Sequence, residues 1–111
     1  METLVHLFWS CPFADLCWDI VCPTRDRSLS LFEAFEDLKL KLQVPFFIEI
    51  IILASWGIWM VRNNKIFRNI LESLDGWKAI YYSELSWLKF RIKQKYADHF
   101  KRWLEAHVIF L

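Results

Sequence analysis

Two residues near the start of the chain have the types and the spacing of metal ligands. His6 and Cys11 stand in an H-x4-C pattern. Zinc binds imidazole nitrogen and thiolate sulfur in tetrahedral sites with four ligands. The pattern therefore supplies the second half of a C-x2-C…H-x4-C knuckle and no more. We expect zinc to bind only if further ligands are supplied, and we expect no other cofactor.

The remaining cysteines, Cys17 and Cys22, offer two more thiols that could complete such a site. Positions five apart on a helix, however, point about 140° away from each other. The alternative to a metal site is that Cys11 is a structural thiol packed among apolar side chains. Three cysteines without a secretory signal favour a reducing intracellular compartment, nuclear or cytoplasmic, over a disulfide framework.

The second candidate site is a run of cations between Trp87 and Trp103. A single acid, Asp98, accompanies six basic residues there. The net charge of the chain is only +1, but its charges are unevenly distributed. Residues 1–49 hold eight acids and four bases, whereas residues 50–111 hold five acids and ten bases. Such a stretch attracts phosphates or an acidic partner, or it forms a solvated helix face.

If this stretch binds nucleic acid, its cations contact phosphates and its aromatic rings stack on bases. The residues predicted to make these contacts are Trp87, Lys89, Phe90, Arg91, Lys93, Lys95 and Arg102. Binding of this kind tolerates any base sequence and weakens with salt. The sequence carries no glycine-rich phosphate loop and no nucleophile elbow, so we predict neither an enzyme nor a small-molecule substrate.

The elements that carry these residues are predicted to be helices. Of the 111 residues 56% are apolar, and only two are Gly and three are Pro. So few turn residues favour long helices over a many-stranded sandwich. We predict an all-α fold, a small bundle of about four helices, two short N-terminal and two long C-terminal. Residues 1–23 would form a knuckle-like segment with a short helix, and residues 24–111 a helical region, within one compact unit.

The two short helices have recognisable beginnings. Pro12 suits the first turn of a helix that ends near Val21. Its predicted apolar face comprises Phe13, Leu16, Cys17 and Ile20. Ser30 and Glu33 have the spacing of a capping box, which predicts a second helix that ends near Leu42.

The two long helices are predicted from about Pro45 to Leu71 and from Gly76 to about His107, the latter with Asp75 as a candidate cap. The last helix has an apolar stripe at steps of four or three, which is typical of a core face. Its members are Trp77, Tyr81, Leu85, Leu88, Ile92, Tyr96, Phe100 and Trp103.

One interpretation of residues 44–61 is a helix that spans a membrane. The segment has 18 residues and one charge, Glu49. As a helix it would reach about 27 Å, which is the lower limit for a bilayer core. A carboxylate inside a bilayer would cost a few kcal/mol. The alternatives are a core helix of the bundle and a face that packs against a helical protein partner.

Two further motifs carry a family resemblance. Residues 2–18 read E-T-x-x-H-L-F-x-x-C-P-F-A-x-x-C-W, and residues 56–67 read W-G-I-W-M-V-R-N-N-K-I-F. Together they resemble the zinc-binding domain at the C-terminal end of plant non-LTR (LINE-type) retrotransposon reverse transcriptases, and Trp18 takes the position of the family's Trp. The basic segment, with Trp87 and Trp103, also looks like the tail of such copies in grasses. The resemblance covers nearly the whole chain.

The resemblance implies a zinc knuckle that helps to hold nucleic acid beside a polymerase. His6 and Cys11 match two of its ligands, whereas Cys17 and Cys22 match none, and the C-x2-C half and the paired polymerase aspartates have no counterpart. We therefore expect a truncated, non-catalytic remnant with residual non-specific nucleic-acid binding. Arg62, in the second motif, would bind phosphate or bridge its helix to a neighbour. The alternatives are a helical module that associates with a membrane or a protein, and a decayed reading frame without biochemical function.

Overall fold

Helices account for all the regular structure in the described part of the computed structural model, which comprises Trp9 and residues 11–26, 28–68 and 71–108. The five α-helices are α1 (Pro12–Val21), α2 (Leu31–Leu42), α3 (Phe47–Arg68), α4 (Leu74–Leu88) and α5 (Ala97–Val108), with a 3₁₀ turn at Gln94–Tyr96. The all-α prediction is confirmed. The described helices number five rather than about four, because the last predicted helix is interrupted.

The limits of the two short helices follow local chemistry. Cys11 caps α1, with the Ala14 amide donating to its Sγ at 3.3 Å, and the helix ends where Cys22 turns extended before Pro23. At α2 the Glu33 amide donates to the Ser30 hydroxyl at 3.5 Å, and that hydroxyl donates to the Glu33 carboxylate at 2.8 Å. The predicted role of Ser30 as the cap of α2 is confirmed, and Glu33 pairs with the Ser30 hydroxyl.

The buried face of α1 is rotated from the predicted one. Phe13 and Cys17 are buried as expected, but Leu16 is more than half exposed. Trp18 and Val21 are fully buried instead. The reason is tertiary, since α1 lies against both α3 and α4, and this contact uses a face that the apolar spacing of α1 does not single out.

The core lies where α3 and α4 pack along each other. The indole of Trp77, which is fully buried, donates from Nε1 to the Ala54 carbonyl of α3 at 3.1 Å. Its ring stacks on Tyr81, one turn later, with centroids 4.7 Å apart. Gly57 permits this approach, because a Cβ there would lie 3.0 Å from the indole. The predicted stripe from Trp77 to Leu88 is therefore core.

The prediction of one continuous helix from Gly76 to His107 is wrong. The chain leaves the α-helix after Leu88, and α5 begins only at Ala97. Like charges four residues apart, Lys89 with Lys93 and Arg91 with Lys95, disfavour a helix across this segment. The break allows α5 to fold back, so that Phe100 packs edge-on against Phe46 at 5.2 Å between centroids.

The beginning of α4 also differs from expectation. Ser73 rather than Asp75 is the cap, and its hydroxyl accepts from the Gly76 amide at 3.0 Å. Just before it, Glu72 pairs with Arg62 of α3 at 3.2 Å. Arg62 therefore links α3 to the segment that leads into α4. This corresponds to the bridging role that the sequence predicted for Arg62 as an alternative to phosphate binding.

In the part of the chain that the structure describes, no helix combines the length and the apolar character that crossing a bilayer requires.

Candidate nucleic-acid interface

The cations predicted to bind nucleic acid lie mostly on the connection between α4 and α5. Residues 87–95, which we call the basic turn, leave the helix through a compact bend. The amides of Arg91 and Ile92 both donate to the Leu88 carbonyl at 2.9 Å. The Tyr96 amide then donates to the Lys93 carbonyl at 2.9 Å and starts the 3₁₀ turn. These hydrogen bonds hold the bend together, and its basic side chains lie on the surface.

Two aromatic rings stand out from the basic turn. Trp87 is 63% exposed and Phe90 is 72% exposed. Their ring centroids lie 5.8 Å apart and their planes are inclined by 54°. The Lys89 Nζ lies 5.0 Å from the centre of the Phe90 ring. The structure therefore brings together three of the predicted residues, two accessible π faces and one cation.

Arg91 and Lys93 lie on the inner side of the same turn. They line a cavity of about 320 Å³ together with residues from the start of α3. Its other lining residues are Pro45, Phe46, Glu49, Leu88, Ile92 and Tyr96. The Glu49 carboxylate opposes an anion at this site, so the cavity is a less favourable phosphate site than the outer surface of the turn.

The remaining predicted cations are more dispersed. The Lys95 side chain is exposed and its Nζ lies 5.0 Å from the Tyr96 ring centre. Arg102 lies on α5, beyond the turn, on an exposed position. The expected single basic helix does not exist, and the cations are divided between a turn and a second helix.

The predicted metal ligands are placed only in part. His6 lies outside the described residues. Cys11 is buried, and its sulfur serves as the cap of α1. Within the described ranges, no three or more His, Cys, Asp or Glu side chains are grouped so as to hold a metal ion. The described donors do not by themselves fit a zinc centre, and zinc binding stays a prediction that depends on ligands beyond them.

Cys17 and Cys22 are structural in their surroundings. Both are buried free thiols, and the Cys22 Sγ lies 3.8 Å from the Thr24 hydroxyl. Burial, followed by the nearby Cys11, raises the pKa of the Cys17 thiol. Because a metal binds the thiolate, this environment opposes ligation by Cys17.

A pair that the sequence does not single out lies in the core between α4 and α5. The Tyr81 hydroxyl and the His107 Nε2 are 3.0 Å apart, and the imidazole stacks on Trp103 with centroids 4.6 Å apart. Burial lowers the pKa of His107 to about 4. The pair could not be foreseen, because the predicted continuous helix would hold the two residues far apart.

The comparisons with known proteins do not identify a family for this chain. The chain matches no family model, no curated protein and no solved structure. The resemblance to LINE-type reverse transcriptases therefore rests on the two sequence motifs and on the basic segment alone.

Proposed function

We propose that the chain is a non-catalytic, nucleic-acid-binding relative of the C-terminal region of LINE-type reverse transcriptases. In this proposal the basic turn binds single-stranded nucleic acid without base specificity. One observation carries the proposal, namely that Trp87 and Phe90 expose most of their surface and that the Lys89 Nζ lies over the Phe90 ring. Accessible aromatic rings interleaved with cations are typical of surfaces that bind single strands.

The chemistry follows from this arrangement. Every base has a π face, so a ring that stacks on one base stacks on any other. The two ring planes are inclined by 54°, which suits two successive unstacked bases better than a rigid duplex. Lys89 and Lys95, whose exposed side chains do not line the cavity with Glu49, would then contact phosphates on the outer surface of the turn.

The test measures the binding of a fluorescently labelled single-stranded RNA and DNA by anisotropy at low salt. Phe90→Ala is expected to weaken binding by roughly tenfold, because stacking contributes about 1–3 kcal/mol per base. Phe32→Ala is the matched control, since Phe32 is an equally accessible ring, 78% exposed, on α2. It is expected to leave the affinity unchanged.

Two outcomes would contradict the proposal. Failure of the intact chain to bind either nucleic acid at low salt would remove it. So would an equal loss of affinity in Phe90→Ala and Phe32→Ala, because the rings would then contribute only through general apolar contact.

A further inference from the structure

The long helix α3 exposes an apolar stripe that the proposed function does not use. Ile48, Ile52, Trp56 and Trp59 are between 40% and 58% exposed. At about 100° per residue the four lie within about 80° of one another around the helix. The outer face of a surface helix is ordinarily polar. We call these four residues the α3 stripe.

The two ends of the α3 stripe have different shapes. At its C-terminal end the rings of Trp56 and Trp59 stack, with centroids 5.2 Å apart and planes inclined by 21°. At its N-terminal end the stripe borders a groove of about 340 Å³ between α2 and α3. That groove is lined by apolar residues only, Phe35, Phe47, Ile48, Ile51 and Ile52. One helix therefore carries projecting rings at one end and an apolar groove at the other.

We propose that the α3 stripe is the interface of a homodimer in which the α3 helices of two copies pack antiparallel. A two-fold axis that crosses the α3 stripe between Ile52 and Trp56, level with Ala54 along the helix, places Trp59 of each copy against the groove beside Ile48 of the other. The same axis places Trp56 against Ile52. Such an interface is isologous, because the contact of one ring with one groove is made twice. The antiparallel arrangement also aligns the two helix dipoles favourably.

The exposed area indicates a weak rather than an obligate dimer. The four stripe residues and Phe35, which is 39% exposed, offer about 500 Å² per copy. A standard interface buries about 800 Å² per partner, and smaller ones are typical of transient complexes. Ser55 and Asn63 flank the stripe as partly accessible polar residues, as expected of an interface rim. We therefore expect a dissociation constant in the micromolar range.

The first experiment measures the mass of the full chain by sedimentation over about 1 to 100 μM, a range that brackets micromolar affinity. The intact protein is expected to shift from monomer to dimer. Ile52→Glu is expected to remain monomeric, because it would place two carboxylates in the apolar centre of the interface. Leu40→Glu is the matched control, since Leu40 is an exposed apolar residue, 69% accessible, on α2 and outside the groove. Circular dichroism verifies that each variant is folded.

The second experiment tests the orientation of the helices by disulfide trapping. Ser55→Cys lies beside the proposed axis and is expected to cross-link to its own copy under mild oxidation. Ile48→Cys is expected not to cross-link, because antiparallel packing separates the two positions by about 18 Å along the axis. The intact chain is the control, because its three cysteines are buried.

Several results would overturn the proposal. A monomer at every concentration would do so, and flotation of that monomer with phosphatidylcholine vesicles would assign the stripe to a bilayer instead. Equal dissociation by Ile52→Glu and Leu40→Glu would place the interface elsewhere. Cross-linking of Ile48→Cys but not of Ser55→Cys would exclude the antiparallel arrangement.

Discussion

The Tyr81 hydroxyl and the His107 imidazole share a buried hydrogen bond of 3.0 Å, although 26 residues separate them along the chain. In one continuous helix the two residues would be about 39 Å apart. The bond therefore joins α4 to α5 directly and holds the chain in its folded-back form. Trp103 of α5 stacks on the same imidazole, with ring centroids 4.6 Å apart.

We expect the stability of the protein to fall as the pH is lowered from about 6.5 to 4. Burial lowers the pKa of His107 to about 4, below its ordinary value of 6.5. The unfolded chain therefore takes up a proton in this range before the folded chain does, and the native state loses about 3 kcal/mol relative to neutral pH. Urea denaturation at several pH values measures this loss. His107→Gln should show a smaller loss, and an equal loss in both proteins would contradict the assignment.

Tyr81→Phe is expected to destabilise the protein by about 1–3 kcal/mol, because it leaves a buried imidazole nitrogen without a partner. In a His107→Ala background the same replacement should be neutral or stabilising, since the Tyr81 hydroxyl has then already lost its partner. Denaturant unfolding of the four proteins forms a double-mutant cycle. Additive free energies in this cycle would show that the two groups do not interact.

Gly57→Ala is expected to lower the free energy of unfolding by about 1–3 kcal/mol. The added Cβ would lie 3.0 Å from two atoms of the Trp77 ring. That ring cannot move freely, because it is fully buried and donates to the Ala54 carbonyl. In a helix without this contact, Gly→Ala would instead stabilise by about 1 kcal/mol. Thermal unfolding shows whether Gly57→Ala destabilises or stabilises the protein. As a control, Ser55→Ala on the same helix should leave the stability nearly unchanged.

The salt dependence of nucleic-acid binding should report the cations of the basic turn. Neutralising Lys89 and Lys95 to Gln is expected to reduce the slope of log affinity against log salt by about 1.4, or about 0.7 for each lost phosphate contact. The control carries Lys39→Gln and Lys41→Gln on α2, which make the same change in net charge. An identical slope in both double variants would mean that the attraction depends on overall charge and not on the turn.

We predict no stoichiometric zinc in the purified protein, as measured by native mass spectrometry. The Cys11 sulfur is buried and accepts from the Ala14 amide as the cap of α1, and burial raises the pKa of the Cys17 thiol, which favours the protonated sulfur at Cys17. One tightly bound zinc per chain would contradict this prediction. His6→Ala would then show whether the H-x4-C pair supplies the ligands.

Much of the secondary structure could be predicted because its signals are local. Pro12 and the Cys22–Pro23 step limit α1, and Ser30 with Glu33 begins α2. These interactions span four residues or fewer, and they do not depend on the rest of the fold. The apolar steps from Trp77 to Leu88 likewise identified the core face of α4.

The sequence by itself determined an all-helical chain, the limits of its short helices and the clustering of cations after Trp87. Only the tertiary structure decided where the last helix breaks, because no Gly or Pro marks the break in the sequence. The free energy that favours the break comes from packing α5 against Phe46 and Tyr81. It also decided which face of α3 is exposed, since a helix that is apolar on every side does not show which side its neighbours cover. The basic turn exists because the last helix breaks after Leu88, and the α3 stripe exists because the neighbouring helices leave one face of α3 uncovered.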